Sequence, residues 1–174
     1  YVELDVFTDQ PYRGNPLAVV VDAHGLDDEE MQRFANWTNF SETTFLLPPT
    51  DAAADYSVRI FTPSFELPFA GHPTLGSCHA WLAAGGEPRS ADGTVVQECG
   101  VGLVTVRQEG DGRLAFGAPP LLRSGPLDDD LRLDVAGVLG ISVDDIVDSA
   151  WIDNGPGWIG VLLVSSATMS RGCS

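Results

Sequence analysis

The sequence predicts a mixed α/β fold in which strands wrap a central buried helix, and three observations carry that expectation. From Gly71 to Gly86 the chain holds no Asp, Glu, Lys or Arg, so a helix there has no charged face to turn to water. Short apolar runs with strand character flank that segment on both sides. The 174 residues are 44% hydrophobic, enough to bury the core of one domain and part of a second.

Tyr1 to Phe7 alternates as a strand, residues 9–16 gather Pro, Gly and Asn into a turn, and Leu17 to Val21 is a second apolar strand, so a hairpin opens the fold. Asp27 is placed to cap a helix running to about Thr38, with Glu30 as its capping-box partner and Met31, Phe34 and Ala35 as the inner face. Thr43 to Leu47 and Asp55 to Phe61 read as further strands. The buried helix follows, over about residues 73–85. Pro73 is expected at its first helical position, where a missing N–H costs nothing. Leu75, Cys78, His79 and Leu82 recur at helical spacing, and His79 reads as a satisfied core residue. Gly76, Ser77 and the alanines leave room for strands to approach, Trp81 being the one bulky exception.

Strand character resumes at Thr94 to Gln97. Leu103 to Arg107 and Arg113 to Phe116 then flank an acidic Glu109-Gly110-Asp111-Gly112 turn as a hairpin. After Ala118-Pro119-Pro120 the composition changes, which places a first domain at 1–120 and the start of a second at 121–174. Asp128 to Asp130 reads as helix-start charge for Leu131 to Leu139 rather than as a cation site. Trp151 to Asn154 and Trp158 to Val164 read as strands around a Gly-Pro-Gly turn. The last residues, from Met169, carry no periodic pattern.

Composition narrows the function. A net charge of −16 with nine arginines and no lysine disfavours a polyanionic partner, which excludes nucleic acid. No run of about 18 apolar residues and no basic-then-apolar leader occurs, so membrane-spanning and secretory readings fail. Cys78, Cys99 and Cys173 are odd in number and lack C-x-x-C spacing, which fits a reducing cytoplasm and indicates neither a disulfide framework nor a zinc site. No spaced cluster of metal-ligating residues and no Gly-rich nucleotide loop is present, so no metal or cofactor is expected.

Two residues stand out chemically. Glu42 sits at the edge of an apolar strand, where desolvation favours the protonated carboxyl and suits it to giving and taking a proton near neutral pH; the alternative is a turn glutamate accepting backbone N–H groups. His72 stands at the mouth of the buried helix, where the helix dipole disfavours the imidazolium; the alternative is a packed histidine with one hydrogen bond. The unpaired N–H groups of that helix end are suited to a carboxylate or enolate oxygen. His24 lies in a surface turn. Asn15, between Gly14 and Pro16, and Asn154, before Gly155, read as turn formers first.

Five linked blocks carry a resemblance: Asp5-Val6-Phe7-Thr8, Gly14 to Val20, Asn39-Phe40-Ser41-Glu42-Thr43, Arg59 to Pro63 and Phe69-Ala70-Gly71-His72-Pro73-Thr74-Leu75-Gly76. Together they resemble the PhzF-like family of phenazine-biosynthesis isomerases, and Asn154 to Trp158 resembles the opening of that family's second domain. The resemblance implies a diaminopimelate-epimerase-like fold of two similar domains. Each is a curved, mostly antiparallel sheet round a central helix, with the site between them.

It implies Glu42 as the general acid/base, with His72 and Gly71 binding and polarising a small carboxylated substrate and no cofactor. Ser41, Asn15 and Pro73, from the same blocks, complete the candidate binding set. Where related epimerases carry a cysteine thiol, this chain has Ala70, and Cys78 and Cys99 do not match those positions. The second central helix of the family, with its aspartate and serine, has no match in residues 161–174, so the second domain reads as truncated. Two functions follow: a cytoplasmic, dimeric, cofactor-independent isomerase in secondary-metabolite biosynthesis, or a catalytically incomplete module that binds a ligand, a second copy or a complementary chain.

Overall fold

The computed structural model describes residues 1–165, and the patternless stretch from Met169 lies outside the described residues. The chain divides into two compact units, the first Tyr1–Pro119 and the second beginning at Pro120. The first unit holds β1 (Val2–Val6), β2 (Asn15–Val20), α1 (Asp28–Thr38), β3 (Thr43–Leu47), β4 (Tyr56–Phe61), β5 (Glu66–Leu67), α2 (Gly71–Ala83), β6 (Val95–Cys99), β7 (Gly102–Gln108) and β8 (Leu114–Phe116).

All the strands of this unit form one sheet in the order β1-β2-β3-β4-β6-β7-β8, with β5 alongside β4. Pairing is antiparallel except for β2 with β3 and β4 with β6. α2 packs against β1, β2 and β3 and also against β6 and β8. A single helix can touch both ends of a sheet only if the sheet curls round it, so the expected wrapped helix is present. The close approach is set at Gly76, where a Cβ would lie 2.5 Å from Leu17 Cδ2 and 3.1 Å from Val6 Cγ2.

The core between helix and sheet contains Leu17, Val19, Tyr56, Ile60, Val95 and Val106 against Cys78 and Ala80. Each of the large apolar side chains contributes roughly 1.5–3 kcal/mol by burial. A second cluster, with Met31 and Ala35 of α1 against Phe45 and Phe61, lies on the other side of the sheet. α1 begins at its capping box, Asp27 accepting from the Glu30 N–H while Glu30 accepts from the Asp27 N–H.

Two expectations need correction, and two short strands are added to those expected. α2 starts at Gly71, so Pro73 occupies the third helical position; the N–H groups throughout the first turn lack intrahelical partners, and proline is tolerated there too. His79 is exposed rather than part of the core, because it lies on the side of α2 left open between β1 and β8. β5 and β9 were not foreseen: each is short and, at Glu66-Leu67 and Arg123–Pro126, lacks an apolar run.

The second unit carries β9 (Arg123–Pro126), α3 (Asp129–Leu139), a 3₁₀ turn at Val143–Asp145, β10 (Ile146–Asp153) and β11 (Ile159–Leu163). Its three strands pair antiparallel with β10 in the middle. Asp128 caps α3 by accepting the Leu131 N–H at 2.8 Å, the helix-start role expected of that acidic run. The turn after β10 is held by Asp153, whose Oδ1 accepts from Gly155 and Gly157, rather than by Asn154.

Candidate active site

β2 runs antiparallel to β1, with Val6 opposite Asn15, and parallel to β3, with Ala18 opposite Thr43. The end of β1, the start of β2 and the residues leading into β3 therefore lie at one edge of the sheet. That edge brings Asn15, Ser41, Glu42 and His72 together. His72 Nε2 lies 3.3 Å from Glu42 Oε2, Asn15 Nδ2 lies 3.2 Å from His72 Nδ1, and Ser41 Oγ faces Asn15 Oδ1 at 3.5 Å. Gly71 and Pro73 flank His72 in the first turn of α2; Pro73 is buried, and a Cβ on Gly71 would lie 3.1 Å from the Phe116 ring.

The pair is largely dehydrated, with side-chain exposures of 9% for His72 and 17% for Glu42. With Asn15 Nδ2 donating to Nδ1, a neutral imidazole carries its proton on Nε2, on the side of Glu42. Nε2 and Oε2 are nevertheless out of hydrogen-bond alignment, and both are buried atoms with no hydrogen-bond partner. Facing polar atoms left unsatisfied in a dry site are costly to the fold and are a signature of a place where a ligand group belongs. Burial lowers the pKa of His72, with the charge of Glu42 and the Pro16 carbonyl pulling the other way. The direction is the one expected from the helix mouth, but burial is the leading cause.

Behind this edge a buried polar chain fixes the start of α2. Tyr56 donates to Gln97 Oε1 at 2.9 Å, Gln97 donates to Thr74 Oγ1 at 3.2 Å, and the Thr74 hydroxyl donates to the Ala70 carbonyl at 2.9 Å. Sequence reading missed this chain, because Gln97 lies in a strand of ordinary pattern and its partners are far along the sequence. Phe7, expected as the last residue of the first strand, instead lies just past it with a φ of 70°. The Phe7 ring stands 6.3 Å from the imidazole of His72.

An open groove of about 850 Å³ runs along the uncovered side of α2, lined by Phe7, Leu75 and His79 among others, but by neither Glu42 nor His72. Phe7 is common to that groove and to the ring contact with His72. Cys78 is buried and its thiol is pushed up to about 12, which leaves it no thiolate chemistry at this site. Among the described residues no group of three or more His, Cys, Asp or Glu is placed to hold a metal ion, and no helix is long and apolar enough to cross a membrane.

Residues 4–171 match the model of the phenazine biosynthesis-like protein family, PhzC-PhzF. Antisense-enhancing sequence 1 of Schizosaccharomyces pombe is 40% identical, the alignment covering 97% of this chain and 58% of that protein. The trans-2,3-dihydro-3-hydroxyanthranilate isomerase of Pseudomonas aeruginosa is 51% identical over 80 residues, 46% of this chain and 28% of that enzyme. Among solved structures, a predicted epimerase from Pseudomonas aeruginosa matches with TM-score 0.71 and 29% identity over 97% of this chain and 60% of that one. A PhzF-family protein from Bacillus anthracis matches with TM-score 0.68 and 28% identity over 92% of this chain and 54% of that one. The chain spans about half to three fifths of the length of these longer matches.

Proposed function

The chain belongs to the phenazine biosynthesis-like family, an isomerase family, and on that premise we propose that it moves a proton between carbons of a small carboxylated substrate without a cofactor. The observation that carries the reading is the buried pair of unsatisfied atoms, Glu42 Oε2 and His72 Nε2, facing each other 3.3 Å apart at the start of α2. Glu42 as carboxylate removes a proton from a carbon activated by the substrate's own carboxyl group. The electron pair of the broken C–H bond enters the conjugated system as an enolate. The protonated Glu42 carboxyl then returns the proton to a different carbon, leaving a double-bond or keto/enol isomer with nothing else consumed.

Neutral His72, held by Asn15, orients and polarises the substrate, and the first-turn N–H groups of α2 face the oxygen on which negative charge grows. Deuterium incorporation from D2O into trans-2,3-dihydro-3-hydroxyanthranilate, the compound in the Pseudomonas relative's name, tests this. Glu42→Gln should lower incorporation by about 10²–10⁴-fold with the fold intact. Exchange retained in that variant would move the acid/base role off Glu42.

A second reading, binding a ligand, a second copy or a complementary chain without turnover, is favoured by the second unit. Among its described residues only Ala136, Ile146 and Ser149 are buried.

A further inference from the structure

We propose that Thr44 and Ser77 are positioning residues of the Glu42–His72 pair: the bond between their buried hydroxyls ties α2 to β3 and sets how closely the carboxylate meets the imidazole. The inference rests on the acid/base reading above and extends it to a bond inside the core.

Successive side chains of β3 point to opposite faces of the sheet. Thr43 and Phe45 face α1: Phe45 belongs to the cluster of Met31 and Ala35, and the Thr43 hydroxyl lies 2.9 Å from that of Thr38. Thr44 and Leu46 face α2, Leu46 within the core around that helix and Thr44 Oγ1 accepting from Ser77 Oγ at 2.9 Å. Thr44 stands two residues past Glu42, and Ser77 five past His72. A short piece of strand and little more than one turn of helix therefore join the bond to the pair. Any change in the spacing of α2 from β3 at the bond is passed on to the gap between Glu42 Oε2 and His72 Nε2.

The choice of polar residues is what marks this contact. Thr44 and Ser77 are both fully buried, in the core that holds Leu17, Leu46 and Cys78. A serine within a helix commonly returns its hydroxyl to the carbonyl four residues back, whereas Ser77 donates across to the strand. Valine and alanine would fill nearly the same space, and removing both hydroxyls of a buried pair is close to neutral or stabilising. Stability alone therefore does not account for the pair. What the hydroxyls add is spacing: oxygens 2.9 Å apart hold the elements closer than carbon contacts of roughly 3.5–4.0 Å, and in a set direction. That difference matters at an acid/base pair, where a misplacement of about 1 Å costs about 10²-fold in rate.

The test compares, in the full chain, Thr44→Val/Ser77→Ala, which removes both hydroxyls, with Thr44→Ser, which keeps the bond and loses a methyl group. Urea unfolding should place the double variant level with or above the parent and Thr44→Ser below it, because of the buried methyl lost. Measurements at the site should rank the two the other way. Glu42→Gln removes the charge that raises the His72 pKa, so by NMR of the imidazole it should lower the His72 midpoint, equally in the parent and in Thr44→Ser. In the double variant the same substitution should move the midpoint less than half as far. Water admitted between carboxylate and ring raises the dielectric constant from about 20 towards 80 and weakens the interaction up to about fourfold. Deuterium incorporation should fall about tenfold or more in the double variant and stay within about twofold of the parent in Thr44→Ser. An equal Glu42-dependent shift in all three backgrounds, no shift in the parent, or stability and site measurements falling in the same rank order would overturn the proposal. A shift lost in the double variant, in a chain whose Glu42→Gln form still exchanges deuterium, would retain the tie and sink the acid/base reading.

Discussion

At the scale of single residues, the balance at His72 is between burial, which disfavours the imidazolium, and Glu42, which favours it; burial wins. The consequence for stability has a definite sign. The unfolded histidine takes up a proton as pH falls through about 6.5, while the folded one resists it, so the unfolded state gains and stability falls in the window below 6.5 down to the lowered native pKa. Above 6.5 both states are neutral and the effect vanishes. Urea unfolding from pH 7.5 to 5.0 should therefore decline more steeply in the parent than in His72→Gln. Parallel profiles would mean that the ring is hydrated in solution. Phe7 illustrates the same accounting for the backbone: a left-handed bulky residue costs on the order of 1–3 kcal/mol, which the Asp5 carboxylate, accepting from the Arg13 and Gly14 N–H groups, must sustain.

At the scale of elements, α2 is positioned by packing along its length and by polar bonds at its start. Gln97 is fully buried and joins Tyr56 of β4 to Thr74 of α2, two residues after His72. Gln97→Leu keeps the volume but strands the buried Tyr56 hydroxyl and removes the donor to Thr74, whose own hydroxyl still donates to Ala70, and should cost about 2 kcal/mol in urea unfolding. Adding Tyr56→Phe to that variant should cost less than Tyr56→Phe alone, because the hydroxyl then has no partner left to lose. Additive effects would show that the chain does not act as a unit.

The capping box of α1, the span of β3 and the acidic hairpin turn were legible in the sequence because each is decided by neighbours a few residues apart. The Gln97 chain was not, since 41 residues separate Tyr56 from Gln97 and 23 separate Thr74 from Gln97. His79 was misread for a related reason: helical spacing says which residues share a face, but only the gap between β1 and β8 says which face stays open.

At the scale of the whole molecule, Trp158, Leu162 and Val147 are 60%, 60% and 56% exposed in the second unit, and the partner reading takes these side chains as the surface that a second chain would cover. Native mass spectrometry, with every polypeptide identified, should give an assembly heavier than the single 18.5 kDa chain. If the assembly is a homo-oligomer, its fraction should rise with salt, because two chains of net charge −16 repel and ions screen that repulsion. A lone chain at all ionic strengths would remove the partner reading.

By itself the sequence determined the uncharged helix at the centre, the strands on either side and the change of composition near residue 120, since these follow from composition, periodicity and capping within short windows, while Glu42 and His72 were singled out through the motifs that resemble a known family. Only the tertiary structure decided that Asn15 reaches His72 across 57 residues, that the Glu42 and His72 atoms meet dry and unsatisfied, and that Phe7 is turned toward them. Those outcomes depend on the parallel pairing of β2 with β3 and on a sheet curled far enough to touch α2 from both ends. Local propensity holds no information about either, because both arise from which distant surfaces bury one another.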